Sequence, residues 1–511
     1  MANLFEQKDR RVIPNWRSFY STWRLNELYY SKKNIVRQIE RRLSINDYIT
    51  AWDNNKSTSF AGDLISAAFV NGFVNIKEVK EAANSILNNK VSTFSLNELA
   101  RLILKTETED TKTYEHSNIL NEFIPSNYYI EIKKTKERIN NYPNNPIPYV
   151  DLSRLYTILG IENKSIKHMK IALGLAPDNR FILRAAARLF SHFDQHDFIH
   201  ELIKKSELVK IDPWITSTEI ALATILNKRS RYIKIGTHMI GSGNFDWHSL
   251  TELASSIGTL EFLNGNRRKA KKFLITALKS PNDNTLAQIE WINNLDVLLN
   301  INPYDYKIYN KYEALALDDY FNKKYDSAFD QCKEWFSDLP FSKQAVIFGS
   351  HIANSLLDKT NDAVKFLKIG LHSHPRDPQI INNLAYSLAL QNRIEDAEKY
   401  LNQLIRVSDI NTNTRICLTA TKGLIAFRKG EVAAGNDLYQ KAIVSAKSTR
   451  NDYLIWLANL NYAREIVLSH SKEMGSIQNI ISLVPDNHRF PDLIKLKAEV
   501  ISLFIREREN S

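Results

Sequence analysis

Apolar and small residues recur along this chain with the period of an α-helix, and the helices they predict come in pairs. Over 381–401, "INNLAYSLALQNRIEDAEKYL", Ile381, Leu384, Ala385 and Leu388 share one helical face. A polar "QNR" then breaks the pattern, and Ala397 and Leu401 start a second face. Over 146–179, Tyr149, Leu152, Leu155, Tyr156 and Leu159 predict one helix and Ile166, Met169, Ala172 and Leu173 a second. Gly160 supplies the turn between them, and Pro177 closes the unit. Each helix alone would leave its stripe in water, so such a pair is stable only when stacked on others. Where the two helices cross closely, only a small residue fits.

The unit at 146–179 resembles the tetratricopeptide repeat, a helix-turn-helix of about 34 residues. Its signature offsets carry Tyr149, Leu152, Ser153, Tyr156, Ser165, Met169, Ala172 and Pro177. The unit at 381 carries Ile381, Leu384, Ala385, Leu388, Ala397, Leu401 and Leu404, with Asp409 in the proline position. The closely packed position of the second helix recurs at Ala172, Ser206, Ala277, Trp335, Gly370, Leu404 and Ala442. Trp335 stands there where a small residue belongs. The phase is interrupted near 214–250 and 281–310, where irregular helices or shifted packing are expected.

The expected fold is all-α: a right-handed α-solenoid of TPR-like helix-turn-helix repeats with a helical N-terminal domain and a C-terminal capping helix. Residues 1–125 do not follow the repeat and read as the N-terminal domain. Residues 126–245 form a first TPR-like block, and 246–511 a second that ends in the cap. The cap is "FPDLIKLKAEVISLFIREREN", an apolar stripe with a charged outer face.

Composition supports helices joined by short turns, since Gly (15) and Pro (14) are both scarce for a turn-rich β fold. Cys332 and Cys417 form neither a metal-ligand pair by spacing nor a disulfide framework. The N-terminus has charges where a signal peptide needs its apolar core. The best apolar window, 64–76, is too short to span a bilayer and contains Asn71 and Asn75. A cytoplasmic protein without a membrane segment is expected.

The net charge is +11, and residues 1–43 hold ten Lys/Arg against four Asp/Glu. Arg10, Arg11, Trp16, Arg17, Trp23 and Arg24 interleave basic and aromatic side chains, as a surface for nucleic acid or an acidic partner does. The alternative is a basic helix whose aromatics pack inward.

Motifs for chemistry are sparse. "SHFDQHDFIHEL" places His192, His196 and His200 four apart, a metal stripe if the helix were continuous. The repeat phase puts a turn at Asp194, so His192 and His200 belong to different helices. "GSGNFD" at 241–246 lacks the third glycine of a dinucleotide fingerprint and reads as a loop. No phosphate loop and no nucleophile elbow is present. No catalytic residue, metal or cofactor is expected.

The resemblance implies that the first helix of each unit lines a concave groove. It places Arg154, Arg184 and Arg188 there, then Ser255, Thr259, Asn382 and Tyr386. Three arginines would favour an acidic or phosphorylated partner, or pair with acids across the groove. The family's carboxylate clamp for chaperone tails is absent: Val150 and Arg154 stand where its Lys and Asn belong. The expected function is a non-catalytic scaffold or adaptor that takes an acidic or helical segment of another protein through the groove and the N-terminal domain. A regulatory or sensing subunit of a larger complex, for example in bacterial antiviral defence, and a nucleic-acid-associated protein are the alternatives. The sequence does not fix an oligomeric state.

Overall fold

The computed structural model describes residues 12–18, 45–104 (apart from 72, 75, 90, 91 and 93), 119–405 (apart from 124), 407, 410–470, 475–486 and 490–510. Among them the chain forms helices and turns and no β-strand. Helices α1 (Ile45–Asn54), α2 (Thr58–Asn71), α3 (Lys77–Asn88) and α4 (Phe94–Leu104) pack on one another. Their core, centred on Trp52, Leu64, Ile65, Val79 and Ile86, is separate from that of the repeats. Two further helices follow, α5 (Ile119–Glu122) and α6 (Pro125–Asn141), the latter packed on the first helix of the array.

Helix pairs then stack in chain order. The first four are α7 (Pro146–Ile158) with α8 (Glu162–Leu175), α9 (Arg180–His192) with α10 (His196–Lys205), α11 (Pro213–Ile225) with α12 (Ile233–Gly241), and α13 (Trp247–Leu263) with α14 (Arg267–Ala277). Helix α15 (Asp283–Leu295) stands alone. Next come α16 (Tyr312–Phe321) with α17 (Tyr325–Asp338), and α18 (Lys343–His351) with α19 (Thr360–Ser373). Beyond them lie α20 (Pro378–Leu390) with α21 (Ile394–Asn402), and α22 (Thr412–Arg428) with α23 (Val432–Ser448). Helix α24 (Asp452–Leu468) pairs with the short α25 (Ile477–Ser482), and α26 (Pro491–Asn510) closes the array against α24. The architecture is an all-α, TPR-like solenoid with a C-terminal cap.

Three local devices make each pair. Every first helix from α7 onward, α16 excepted, starts with a side chain that caps its free N–H groups: Asn145, Asn179, Asp212, Asp246, Asn282, Ser342, Asp377, Asn411 and Asn451. At the other end a residue of positive φ reverses the chain: Gly160, Asp194, Asn227, Gly265, Lys323, Asp358, Asn392 and Gly430. The following N–H reaches back to a first-helix carbonyl, as from Ile161 to Tyr156 (2.9 Å), Gln195 to Phe190 (2.8 Å) and Arg393 to Leu388 (3.0 Å). The third device is small size at the crossing. A Cβ on Gly258 would meet Leu274 Cδ2 at 2.9 Å, and one on Gly370 would meet Val346 Cγ1 at 2.6 Å. Ser153 instead donates to the Ser165 carbonyl at 2.8 Å. Ala172, Ala277, Ala397 and Ala442 are fully buried, and even Trp335 is buried in its phase position.

The two expected interruptions fare differently. Over 214–250 the pair α11–α12 is complete, because Asp212 caps it and Asn227 makes the reversal without glycine. Over 281–310, α15 has no second helix. Its place is taken by an irregular stretch held by Lys311 Nζ, which donates to the carbonyls of Pro303 (2.7 Å) and Tyr306 (2.5 Å).

The solenoid also touches itself across its turn. A Cβ on Gly160, after α7, would lie 2.3 Å from the His372 carbonyl of α19. The His192 ring, ending α9, lies 4.5 Å from the His374 ring. Phe123, after α5, meets Phe336 (6.3 Å) and His372 (5.2 Å).

Two outcomes test this packing. Gly370→Val inserts a branched side chain against Val346 and should cost about 1–3 kcal/mol in chemical denaturation. The second concerns pH. Glu290 is buried with Oε1 unpartnered, and burial, then Asp318, pushes its carboxyl up to about 8. The folded state therefore keeps a proton that the unfolded state releases, and this favours folding below the unfolded value near 4.5. That contribution is lost as pH rises toward 8. Glu290→Gln should remove the slope, so the variant gains on the wild type between pH 5 and pH 8, by on the order of 3 kcal/mol in urea melts.

Candidate partner-binding groove

The first helices build the inner wall, and its polar side chains pair across neighbouring units. Glu252 on α13 is buried, and Arg184 on α9 reaches it with two hydrogen bonds, at 2.7 and 3.2 Å. Asn282 and Asn284 also donate to Glu252, at 2.9 and 3.1 Å. The Arg184 guanidinium lies 4.2 Å over the Trp214 ring of α11. Arg180 pairs with Asp212 at 2.5 Å. Ser217 and Ser256 bond at 2.8 Å, and Thr251 donates to Thr285 at 3.2 Å. A charged network this deep persists because each member has partners.

Against this wall lies the chain's own N-terminal segment. Residues 12–18, "VIPNWRS", are non-helical, and Val12, Ile13, Trp16 and Arg17 are all buried. Asn284 Nδ2 donates to the Ile13 carbonyl at 3.1 Å, and Asn15 Nδ2 donates to Asp283 at 3.0 Å. The Trp16 ring packs on Phe341 at 5.6 Å. Arg17 is clamped between Asp283, at the start of α15, and Asp338, at the end of α17; its Nε donates to Asp338 Oδ2 at 2.8 Å. Burial opposes the charge of Arg17, but the two carboxylates outweigh it and hold the guanidinium protonated beyond its ordinary range.

These positions revise several expectations. Trp16 and Arg17 do not form an exposed platform for nucleic acid, because the groove takes the indole and two carboxylates take the charge. Arg10, Arg11, Trp23 and Arg24 lie outside the described residues. Arg184 faces the groove wall but is spent on Glu252, not offered to an acidic partner. Arg154 is half-buried, its Nε has no partner, and burial lowers its pKa while Asp151, Tyr128 and Asp338 oppose that. Arg188 is half-buried beside His192 and His374, whose pKa values it helps to lower.

Asn382 and Tyr386 of α20 lie farther along, in a second, open concavity of about 90 Å³. Both are paired: Thr421 donates to Asn382 Oδ1 (2.9 Å), and the Tyr386 hydroxyl donates to Asn461 Oδ1 (2.9 Å). His351, Asn354, Tyr453 and Asp492 also line this pocket.

The three histidines do not converge. His192 ends α9 and His196 opens α10, with Asp194 (φ 55°) at the turn between them. His200 is buried against Glu219, at 3.0 Å. Among the described residues no group of three or more His, Cys, Asp or Glu could hold a metal ion. "GSGNFD" joins α12 to α13 as a turn, with Gly243 at φ 67°.

Asp283, Asp338, Phe341, Trp214 and Glu252 are groove residues that sequence reasoning did not single out. One signal was available. Glu252 in "LTELASSIG" and Glu219 in "TSTEIALA" are single charges in stretches of apolar and small side chains, the pattern of a buried charge with a partner elsewhere.

Fold and inner wall together define a TPR-like helical-repeat protein with a concave face. No family model matches the sequence, and no curated protein matches it. Among solved structures, yeast Tom70 is similar over 75% of this chain and 93% of its own, at 14% identity and a TM-score of 0.32. Cut9 from the APC/C hetero-tetramer Cut9-Hcn1 is similar over 95% of this chain and 96% of that one, at 11% identity and a TM-score of 0.45. A monomeric IFIT1 mutant with Gppp-AAAA is similar over 74% of this chain and 95% of that one, at 12% identity and a TM-score of 0.36.

Glu252→Ala should destabilise the fold by about 3–5 kcal/mol, because it leaves the Arg184 charge buried without its carboxylate. Replacing Arg184 as well, by Met, should recover much of that loss in urea denaturation.

Proposed function

We propose that this chain is a non-catalytic scaffold or adaptor that binds a segment of a partner protein in the concave groove of its solenoid. The observation that supports this is the seat of residues 12–18. There the groove holds a non-helical peptide by its backbone (Asn284 to Ile13), by an aromatic anchor (Trp16 on Phe341) and by a charge clamp (Arg17 between Asp283 and Asp338). A surface that holds one such segment in cis has the chemistry to hold another in trans. Aromatic and arginine anchors in desolvated pockets carry most of the energy in such recognition.

The charge of the clamp revises the expected partner. Two carboxylates favour a basic, aromatic-bearing segment over an acidic one. A partner of that kind must displace residues 12–18, so the free chain is self-occupied and its apparent affinity is lowered accordingly. A regulatory or sensing subunit of a larger complex would use the same face in the same way.

The test is a fluorescently labelled peptide of sequence VIPNWRS, titrated against two proteins by anisotropy. The Trp16→Ala/Arg17→Ala variant, checked for helicity by circular dichroism, should bind it at least about tenfold more tightly than the wild type. A peptide with Asp in place of Arg should bind neither. If the native peptide binds neither protein, the segment is a fixed part of the fold and the groove reading fails.

A further inference from the structure

The second concavity differs from the first in being open, and its chemistry is one-sided. Asp492, near the start of α26, is the one charged side chain that lines it; no Lys or Arg does. Three tyrosines, Tyr386, Tyr439 and Tyr453, add their rings to the wall.

Five of its side-chain donors are already engaged. Tyr453 OH donates to Asp492 Oδ2 (2.6 Å) and Tyr386 OH to Asn461 Oδ1 (2.9 Å). Thr421 donates to Asn382 (2.9 Å), Ser387 to the Asn383 carbonyl (2.9 Å), and Asn461 Nδ2 to the Leu457 carbonyl (2.9 Å). Two buried polar atoms of the lining have no partner. Asn354 Oδ1 has no hydrogen bond, and neither has His351 Nδ1. The His351 ring is 4% exposed, and burial holds its pKa down to about 4 against the opposing pull of Asp492, so it is neutral at pH 7. Its Nε2 lies 3.8 Å from Asp492 Oδ2. The tautomer that directs Nε2–H at that carboxylate leaves Nδ1 as a bare lone pair.

Backbone geometry singles out the same wall. Helix α18 runs into a π segment, Ile352–Leu356, which places Asn354 and Ser355 at the pocket. Such single-turn π segments are uncommon and cluster at functional sites. A buried polar atom without a partner is costly, and here two occur in one pocket beside a carboxylate.

We infer that this pocket binds an ammonium or guanidinium group carried on an aliphatic stem. The N–H groups of such a ligand satisfy Asn354 Oδ1 and His351 Nδ1, its charge is met by Asp492, and the tyrosine rings receive the cation on their faces. Anions are disfavoured by Asp492. The guanidinium of Arg464 stands behind this wall, donating to Asn461 (2.9 Å) and paired with Glu465 (3.0 Å); burial opposes its charge, but Tyr386 and Tyr439 are near enough to raise its pKa. The inference is independent of what occupies the groove at residues 12–18. The same chemistry has two sources, a free small cation or an arginine or lysine side chain of a protein segment.

Isothermal titration of the full chain distinguishes them, with agmatine, Nα-acetyl-arginine amide and the neutral isostere Nα-acetyl-citrulline amide as probes. A guanidinium probe should bind at least about tenfold more tightly than citrulline amide, and Asp492→Asn should weaken it by a similar factor. Asn354→Ala should also weaken binding, while its melting temperature stays at or above that of the wild type, since it removes an unsatisfied group. That variant separates a ligand role from a structural one. Tighter binding of agmatine assigns a free cation, and tighter binding of the acetyl-arginine amide assigns a protein side chain. The inference is overturned if citrulline amide binds equally, if Asp492→Asn keeps full affinity, or if neither guanidinium probe binds at millimolar concentration.

Discussion

The inner wall of this solenoid is out of water, and most of its other features answer to that constraint. First helices such as α9, α11 and α13 are buried along nearly their whole length, so they cannot keep a polar face toward solvent. Every charge they present inward must find a partner on a neighbouring unit. Glu252 gathers Arg184, Asn282 and Asn284 for this reason, and Glu219 takes His200 and Ser230. These pairs tie successive units at the level of single hydrogen bonds. Apolar stacking supplies the bulk of the stability but is less particular about register.

The same constraint distinguishes the two halves of the concave face. In the N-terminal half the acids Asp283 and Asp338 are answered by Arg17, drawn from far away in the chain. In the C-terminal half, the acceptors of His351 and Asn354 are not answered at all. Unpartnered atoms occur elsewhere on the wall, but these two share one open pocket with Asp492.

Much of the fold could be read from the sequence. The apolar spacing over 146–179 and 381–401 places α7, α8, α20 and α21, and the small residues at Ala172, Gly370 and Ala442 mark the crossings. The gap in phase over 214–250 was misleading, because α11 reverses at Asn227 and α12 is short, so the small-residue pattern fails while the pair survives. The recurring cap, Asn or Asp at 145, 179, 212, 246 and 282, would have carried the register through that region. The site was less legible. The resemblance gave Arg184, Asn382 and Tyr386 as groove positions, but what each touches lies one or more units away. Helical phase gives a direction and no distance. For Trp16 and Arg17 even the direction was unreadable, since their segment has no periodic structure and its partners are at 283, 338 and 341.

The contact of the α7–α8 turn with the end of α19 changes how the whole array responds to force and heat. An open solenoid is a spring: each unit knows only its neighbours, so it stretches easily and melts from its ends. Here Gly160 sits under the His372 carbonyl and His192 against His374, which fastens early coils to later ones. The stretch from α7 to α19 is thereby closed into a loop, and no coil within it can open without releasing that clasp. A second clasp holds the coils beyond α19, because α26 reaches back to the end of α18 through Lys495 Nζ, which donates to the Leu356 carbonyl (3.0 Å) and pairs with Asp358 (2.7 Å).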